Sequence, residues 1–130
     1  MPAAASASSA AFKFAACATA PRSTAPAPAP EVLVGTWKVD LRPTPDAPPY
    51  YQELVIRSVE GQTVTGTFYG TELQSGRLNR DWGDLRVAWV TDPGEGAYFG
   101  AAVLVGDRLE GTTLSTSRGF LAYWTATRVK

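Results

Sequence analysis

The chain has 130 residues, room for one domain with a single core, and its 12 Lys and Arg are balanced by 12 Asp and Glu. It contains no histidine and one cysteine, Cys17. Zero formal charge without a Lys/Arg run argues against a nucleic-acid footprint. The missing histidine removes the usual neutral-pH base and the commonest metal ligand, and the lone cysteine leaves no intrachain disulfide or cysteine-built zinc site. No stretch reaches the roughly 20 apolar residues of a membrane-crossing helix.

Residues 1–30 hold no Asp or Glu, and their only aromatics are Phe12 and Phe14. The run APAPAP at 25–30 is expected to be extended and stiff, because proline fixes φ and removes donors. Such a segment cannot bury enough apolar surface to fold alone, so it is read as a disordered leader or tether. Three readings stay open for it. Phe14-Ala15-Ala16-Cys17 resembles a bacterial lipobox, with Cys17 carrying the lipid and an exported, envelope-anchored protein as the result. Lys13 interrupts that apolar run and no basic residue precedes it. An acid-free, Ala/Ser-rich leader with Lys13 and Arg22 also has the character of an organelle transit peptide, a plastid one included. The third reading is a disordered tail on a cytoplasmic protein.

Residues 31–130 carry all four Trp, all five Tyr and all twelve Gly. Apolar residues there recur with period two, broken by Gly, Asp and Pro. The first strand, 32–41, places Leu33, Gly35, Trp37, Val39 and Leu41 on one face. RPTPDAPPY follows as the longest loop. Strands are then expected at 50–58, 62–69, a polar one at 71–78, and 84–91. The sixth, 97–105, is nearly all apolar and reads as covered on both faces. The last two are 108–115 and 119–129, where Phe120, Ala122, Trp124, Ala126 and Arg128 alternate with Leu121, Tyr123, Thr125 and Val129. Eight strands joined mainly by tight turns make an antiparallel meander. Closing it removes two aggregation-prone edges, so the expected fold is all-β, an eight-stranded up-and-down antiparallel barrel over 31–130. Gly66, Gly100 and Gly111 fall mid-strand, where a small barrel bends or leaves no room for a side chain.

GTWKVDL on the first strand, TVTGTFYG on the third, LRVAWVTD on the fifth and LEGTTLSTSRGFLAYWTATR at the end resemble the calycin barrels. The likeness spans 32–129 and is closest to avidin-like domains and to uncharacterised secreted bacterial proteins. It implies that Trp37 lies across the closed end with Arg128 packed over it and Gly35 leaving space, a structural plug. The meander agrees independently, since an even number of strands returns the last one to the end where the first began. It does not imply biotin binding. Where avidin-like proteins have Asn and Ser after the first-strand Trp, this chain has Val39 and Pro43, and a ligand-contacting Tyr is replaced by Phe68.

The same topology gathers the long loop and the Pro-Gly loop at the opposite end. The ligand-binding residues expected at that mouth are Tyr50, Tyr51, Tyr69, Glu72, Trp89, Tyr98, Phe99, Ser115 and Arg118, an aromatic collar with a few polar groups. Asp81 with Asp84, and Asp92 with Glu95, are acid pairs in turns, where carboxylates shape loops. Ser115 and Ser117 have no histidine to activate them. No cofactor and no metal site is expected. The reading is a non-enzymatic barrel that binds a small apolar or amphipathic molecule. The alternative is an envelope protein acting through its outer surface as an inhibitor or assembly factor, with Trp82 as an anchor if it is exposed.

Overall fold

In the computed structural model the described residues are 26–130, and the readings centred on Cys17 lie outside them. Nine antiparallel strands form one sheet: β1 (Gly35–Asp40), β2 (Tyr51–Glu60), β3 (Thr63–Phe68), β4 (Thr71–Glu72), β5 (Gln74–Asn79), β6 (Arg86–Thr91), β7 (Tyr98–Val105), β8 (Arg108–Ser115) and β9 (Phe120–Arg128). Each pairs with its chain neighbour, apart from the short β4, which pairs only with β3 and leaves β5 to bond β3 and β6. β1 also pairs with β9, which closes the cylinder. β4 and β5 are the two halves of the single polar strand expected at 71–78, so the barrel counts eight strands. Leu73 divides them, and a register shift inside β5, between Gln74 and Arg77 with Ser75 at φ 55°, marks a bulge of the kind found where a strand must bend.

The period-two pattern sorts inside from outside. The buried core runs from Leu33 and Trp37 through Val39, Leu54, Ile56, Val64, Leu78, Leu85, Val87 and Leu109 to Phe68, Trp89 and Trp124. Trp89 and Trp124 are admitted by glycine. A Cβ on Gly100 would collide with the Trp89 indole, and one on Gly111 would collide with that of Trp124. The mid-strand glycines therefore exchange intrinsic strand stability for aromatic volume in the lumen. Trp124 donates its Nε1–H to Thr113 Oγ1 at 3.0 Å, which satisfies the indole where water cannot reach it.

Two expectations about the strands need correction. β7 is not covered on both faces: Phe99 is 43% exposed and Ala101 also faces solvent, because a single-layer barrel covers only the inward parity. Residues 30–33 do not begin β1. They form a 3₁₀ turn, Pro30–Leu33, with proline at its start. Pro30 is buried and Ala27 packs against the core, so the boundary drawn at 31 cuts a few residues into the folded unit.

That turn shuts one end of the barrel. Leu33 is fully buried beneath the strands and its carbonyl accepts the Trp37 Nε1–H at 2.9 Å. The Arg128 guanidinium sits 4.4 Å over the Trp37 ring and donates to the carbonyls of Val34, at 3.0 Å, and Val32. Trp37 and Arg128 are direct cross-strand partners. Gly35, at φ 136°, leaves space for this arrangement, since a Cβ there would lie 2.8 Å from Arg128 Nη1. Trp37→Ala should cost about 3–5 kcal/mol, the range for deleting a fully buried large aromatic, read by denaturant unfolding. Arg128→Lys should restore only part of what Arg128→Ala loses, because a lysine keeps the charge over the ring but not the planar fork that reaches two carbonyls. A loss below 1 kcal/mol for Trp37→Ala would refute the sealing role.

Candidate functional site

The other end is open. Above the layer formed by Phe68, Trp89 and Trp124 lies a cleft of about 560 Å³, within the size range of small-molecule sites. Four mouth segments build it. Leu41 and Tyr50 flank the long loop, and Tyr69 and Thr71 come from the β3–β4 turn. Pro93, Glu95 and Tyr98 come from the Pro-Gly loop and the start of β7, and Arg118 and Phe120 from the last turn. Phe68, Thr91, Thr113 and Ala122 form the inner wall.

Each segment is held locally. In the long loop Leu41 N–H donates to the Tyr50 carbonyl at 2.7 Å, which pins its two ends together. Prolines 43, 45, 48 and 49 stiffen what lies between. Arg42 returns to Asp40 through its backbone N–H at 3.0 Å and its Nε at 2.8 Å. The side-chain bond from Arg42 is the main reason the Asp40 carboxyl is held below its ordinary value. In the β3–β4 turn Tyr69 and Gly70 have φ of 56° and 78°, the positive pair of a type I′ hairpin. Left-handed backbone costs an ordinary side chain about 1–2 kcal/mol, yet an aromatic residue occupies the first position. Its ring meets Tyr50 edge-on at 6.2 Å, and Tyr98 faces Phe120 at the same distance. Ser115, fully buried, accepts the Arg118 N–H at 3.1 Å, while the Ser115 carbonyl accepts the Gly119 N–H at 2.9 Å; together these fix the last turn.

Of the nine residues expected at the mouth, Tyr50, Tyr69, Tyr98 and Arg118 converge on the cleft. Trp89 and Ser115 do not line it: Trp89 props Phe68 from below at 5.8 Å, and Ser115 is spent on the turn. Tyr51, Glu72 and Phe99 are on the outer wall, because each neighbours an inward residue on its strand and parity turns it outward. Tyr51 carries the Lys38 ammonium 4.2 Å over its ring, Glu72 pairs with Arg57 at 2.9 Å, and Phe99 is exposed. The acids in turns have local work: Asp92 accepts the Gly94 N–H at 2.9 Å and Asp84 pairs with Arg86 at 2.9 Å.

Thr91, Thr113, Phe120, Phe68 and Glu95 are lining residues that the sequence reading did not place there. For most of them a signal existed. Thr91 shares parity with Val87 and Trp89, and Phe120 with Ala122 and Trp124, so carrying the inward face to the strand ends finds both. Glu95 carries no such signal, being in a loop.

Comparison with family models, curated proteins and solved structures found no match to the chain. What defines it is its geometry: a closed up-and-down β-barrel, sealed at one end and cupped at the other.

Two outcomes follow. Tyr69→Asn, which suits the left-handed turn better, should leave the melting temperature unchanged or raise it, while weakening any ligand held in the cleft. A drop in stability with unchanged binding would assign Tyr69 to folding instead. Because the Asp40 carboxyl is depressed in the folded state, its contribution is present at neutral pH and fades as pH falls through the folded value. Protection factors of the amides in residues 41–50, taken against the intrinsic exchange rate at each pH, should fall on acidification, and Asp40→Asn should show the lowered protection already at pH 7.

Proposed function

We propose that this chain is a calycin-like barrel that works by binding, without catalysis, and holds a small apolar or amphipathic molecule in its mouth. The observation that carries the reading is the contrast between the two halves of one lumen. From the base to Phe68 the interior is filled by side chains; above it the same walls open into the cleft, ringed by Tyr50, Tyr69, Tyr98 and Phe120. Aromatic collars of this kind supply apolar contact with polar tips, which suits a flat or amphipathic guest. The chain has no histidine to serve as a base there, and the cleft's carboxylate, Glu95, is engaged by the Tyr98 hydroxyl. Export, with Cys17 as a lipid anchor ahead of the Pro-rich tether, belongs to the same proposal and rests on the lipobox-like residues alone.

A second reading, action through the outer wall, is supported by a cross-strand row. Phe99, Leu114 and Leu121 are register partners on β7, β8 and β9, all outward and 43%, 43% and 68% exposed. Trp82, the anchor residue named for this reading, is 57% exposed. Native mass spectrometry of the full chain purified under mild conditions should show a bound small molecule, and Tyr50→Ala and Tyr98→Ala should each weaken its rebinding about tenfold or more. An empty barrel that gains no thermal stability from any compound of a broad aromatic and lipid panel would favour the outer wall. In that case Leu121→Glu should abolish capture of a protein partner.

A further inference from the structure

Among the described residues, one cationic side chain lines the mouth cleft, that of Arg118. Arg42, Arg57, Arg86 and Arg108 are each ion-paired with a carboxylate, Arg77 donates to the Gly76 carbonyl, and Arg128 is engaged at the base. Arg118 lines the mouth cleft and, among the described residues, makes no ion pair. Its guanidinium carbon stands 5.5 Å from the centre of the Phe120 ring, and its Nη1 donates one long bond, 3.4 Å, to the Tyr98 hydroxyl oxygen. Tyr98 in turn donates its proton to Glu95 Oε1 at 3.2 Å. The Glu95–Tyr98–Arg118 chain therefore positions a planar cation against a ring while most of its N–H edge stays unused. Its pKa is raised, chiefly by the Tyr98 bond, so the charge is permanent. A second polar group is unused deeper in. Thr91 is only 4% exposed, lines the inner wall, and its hydroxyl has no hydrogen-bond partner among the described residues. The neighbouring Thr113 hydroxyl, by contrast, receives the Trp124 N–H.

From this we infer that the cleft is built for a planar organic acid, with its carboxylate on the free edge of Arg118, its ring between the Tyr50–Tyr69 and Tyr98–Phe120 pairs, and a polar substituent at the inner end meeting Thr91. This inference rests on the binding reading above and narrows it to a ligand class. A guanidinium fork matches a carboxylate in two parallel bonds, which a neutral amide of the same shape cannot reproduce. A buried hydroxyl left without a partner rewards a ligand atom that can supply one.

Isothermal titration of the full chain with 2-naphthoate and its isosteric neutral counterpart, 2-naphthamide, separates the parts. The acid should bind at least tenfold more tightly than the amide. Arg118→Gln should bring the two within about twofold by weakening the acid alone, and Glu95→Gln should tighten the acid further, since it removes the one nearby negative charge. Both substitutions are at exposed positions, and unchanged near-ultraviolet circular dichroism will show that the barrel is intact. Equal affinity for acid and amide in the unmodified protein would overturn the acid assignment and leave the binding reading standing. Failure of both to bind at millimolar concentration would overturn both. For the inner end, 6-hydroxy-2-naphthoate should bind more tightly than 2-naphthoate, and Thr91→Val should abolish that gain; a gain that survives the substitution would overturn the role given to Thr91.

Discussion

An indole held between a backbone carbonyl and a guanidinium is the constraint on which the rest of this barrel depends. A small cylinder has two ends, and an end left open to water wets the core from inside. Here Trp37 fills the narrow end, Leu33 lies beneath it, and Arg128 covers the ring while using its fork on the carbonyls of Val32 and Val34. Those carbonyls belong to a short 3₁₀ turn and the residues beside it, backbone that no sheet partner satisfies. One arginine thus meets two needs, covering an aromatic face and pairing exposed backbone acceptors, and it ties the last strand to the segment before the first. Barrel closure and base sealing are the same event, because β1–β9 pairing is what brings Trp37 and Arg128 opposite each other.

With the base dry, the lumen can be filled upward. Glycines at 100 and 111 make room for Trp89 and Trp124, which stack with Phe68 into a floor. The loops above that floor are restrained by means other than burial: prolines and the Asp40–Arg42 pair in one, a positive-φ hairpin in another, and the Ser115 hydroxyl and carbonyl in a third. A cleft can persist there because its walls are held from outside the cleft. The side chains that face into it, Tyr50, Tyr69, Tyr98 and Arg118, are then free of structural duty to the core. Tyr69 even works against its own turn, a conflict between local preference and placement of the kind that gathers at binding sites.

How much of this was legible without coordinates follows from what each feature depends on. Period-two alternation is a local property, so seven strands and the barrel could be read directly, and the parity of an even-stranded meander was enough to bring residues 37 and 128 to one end. The polar strand over 71–78 could be located but neither its break at Leu73 nor the bulge at Ser75, because neither leaves a mark in hydrophobicity. At the mouth the reading lost precision for a related reason. Whether Tyr50 or Tyr51 turns inward depends on where a loop hands over to a strand, and one residue of slip reverses the answer. Glu72 and Phe99 failed in the same way, whereas Thr91 and Phe120 were within reach of the strand parity already assigned. Pro30 and Ala27 could not be found, since a tertiary pocket under the barrel, not any periodicity, draws them in.

The Val129 N–H bonds to the Thr36 carbonyl at 2.9 Å, a few residues from where Pro30 enters the fold. Incoming and outgoing chain therefore meet on the stoppered side of the cup. Anything covalently joined ahead of residue 30 or after residue 129 pulls on the blind end, and the aromatic rim looks the other way. A tether on this chain would hold it as a stem holds a goblet, leaving the bowl unshadowed whatever surface the stem stands on.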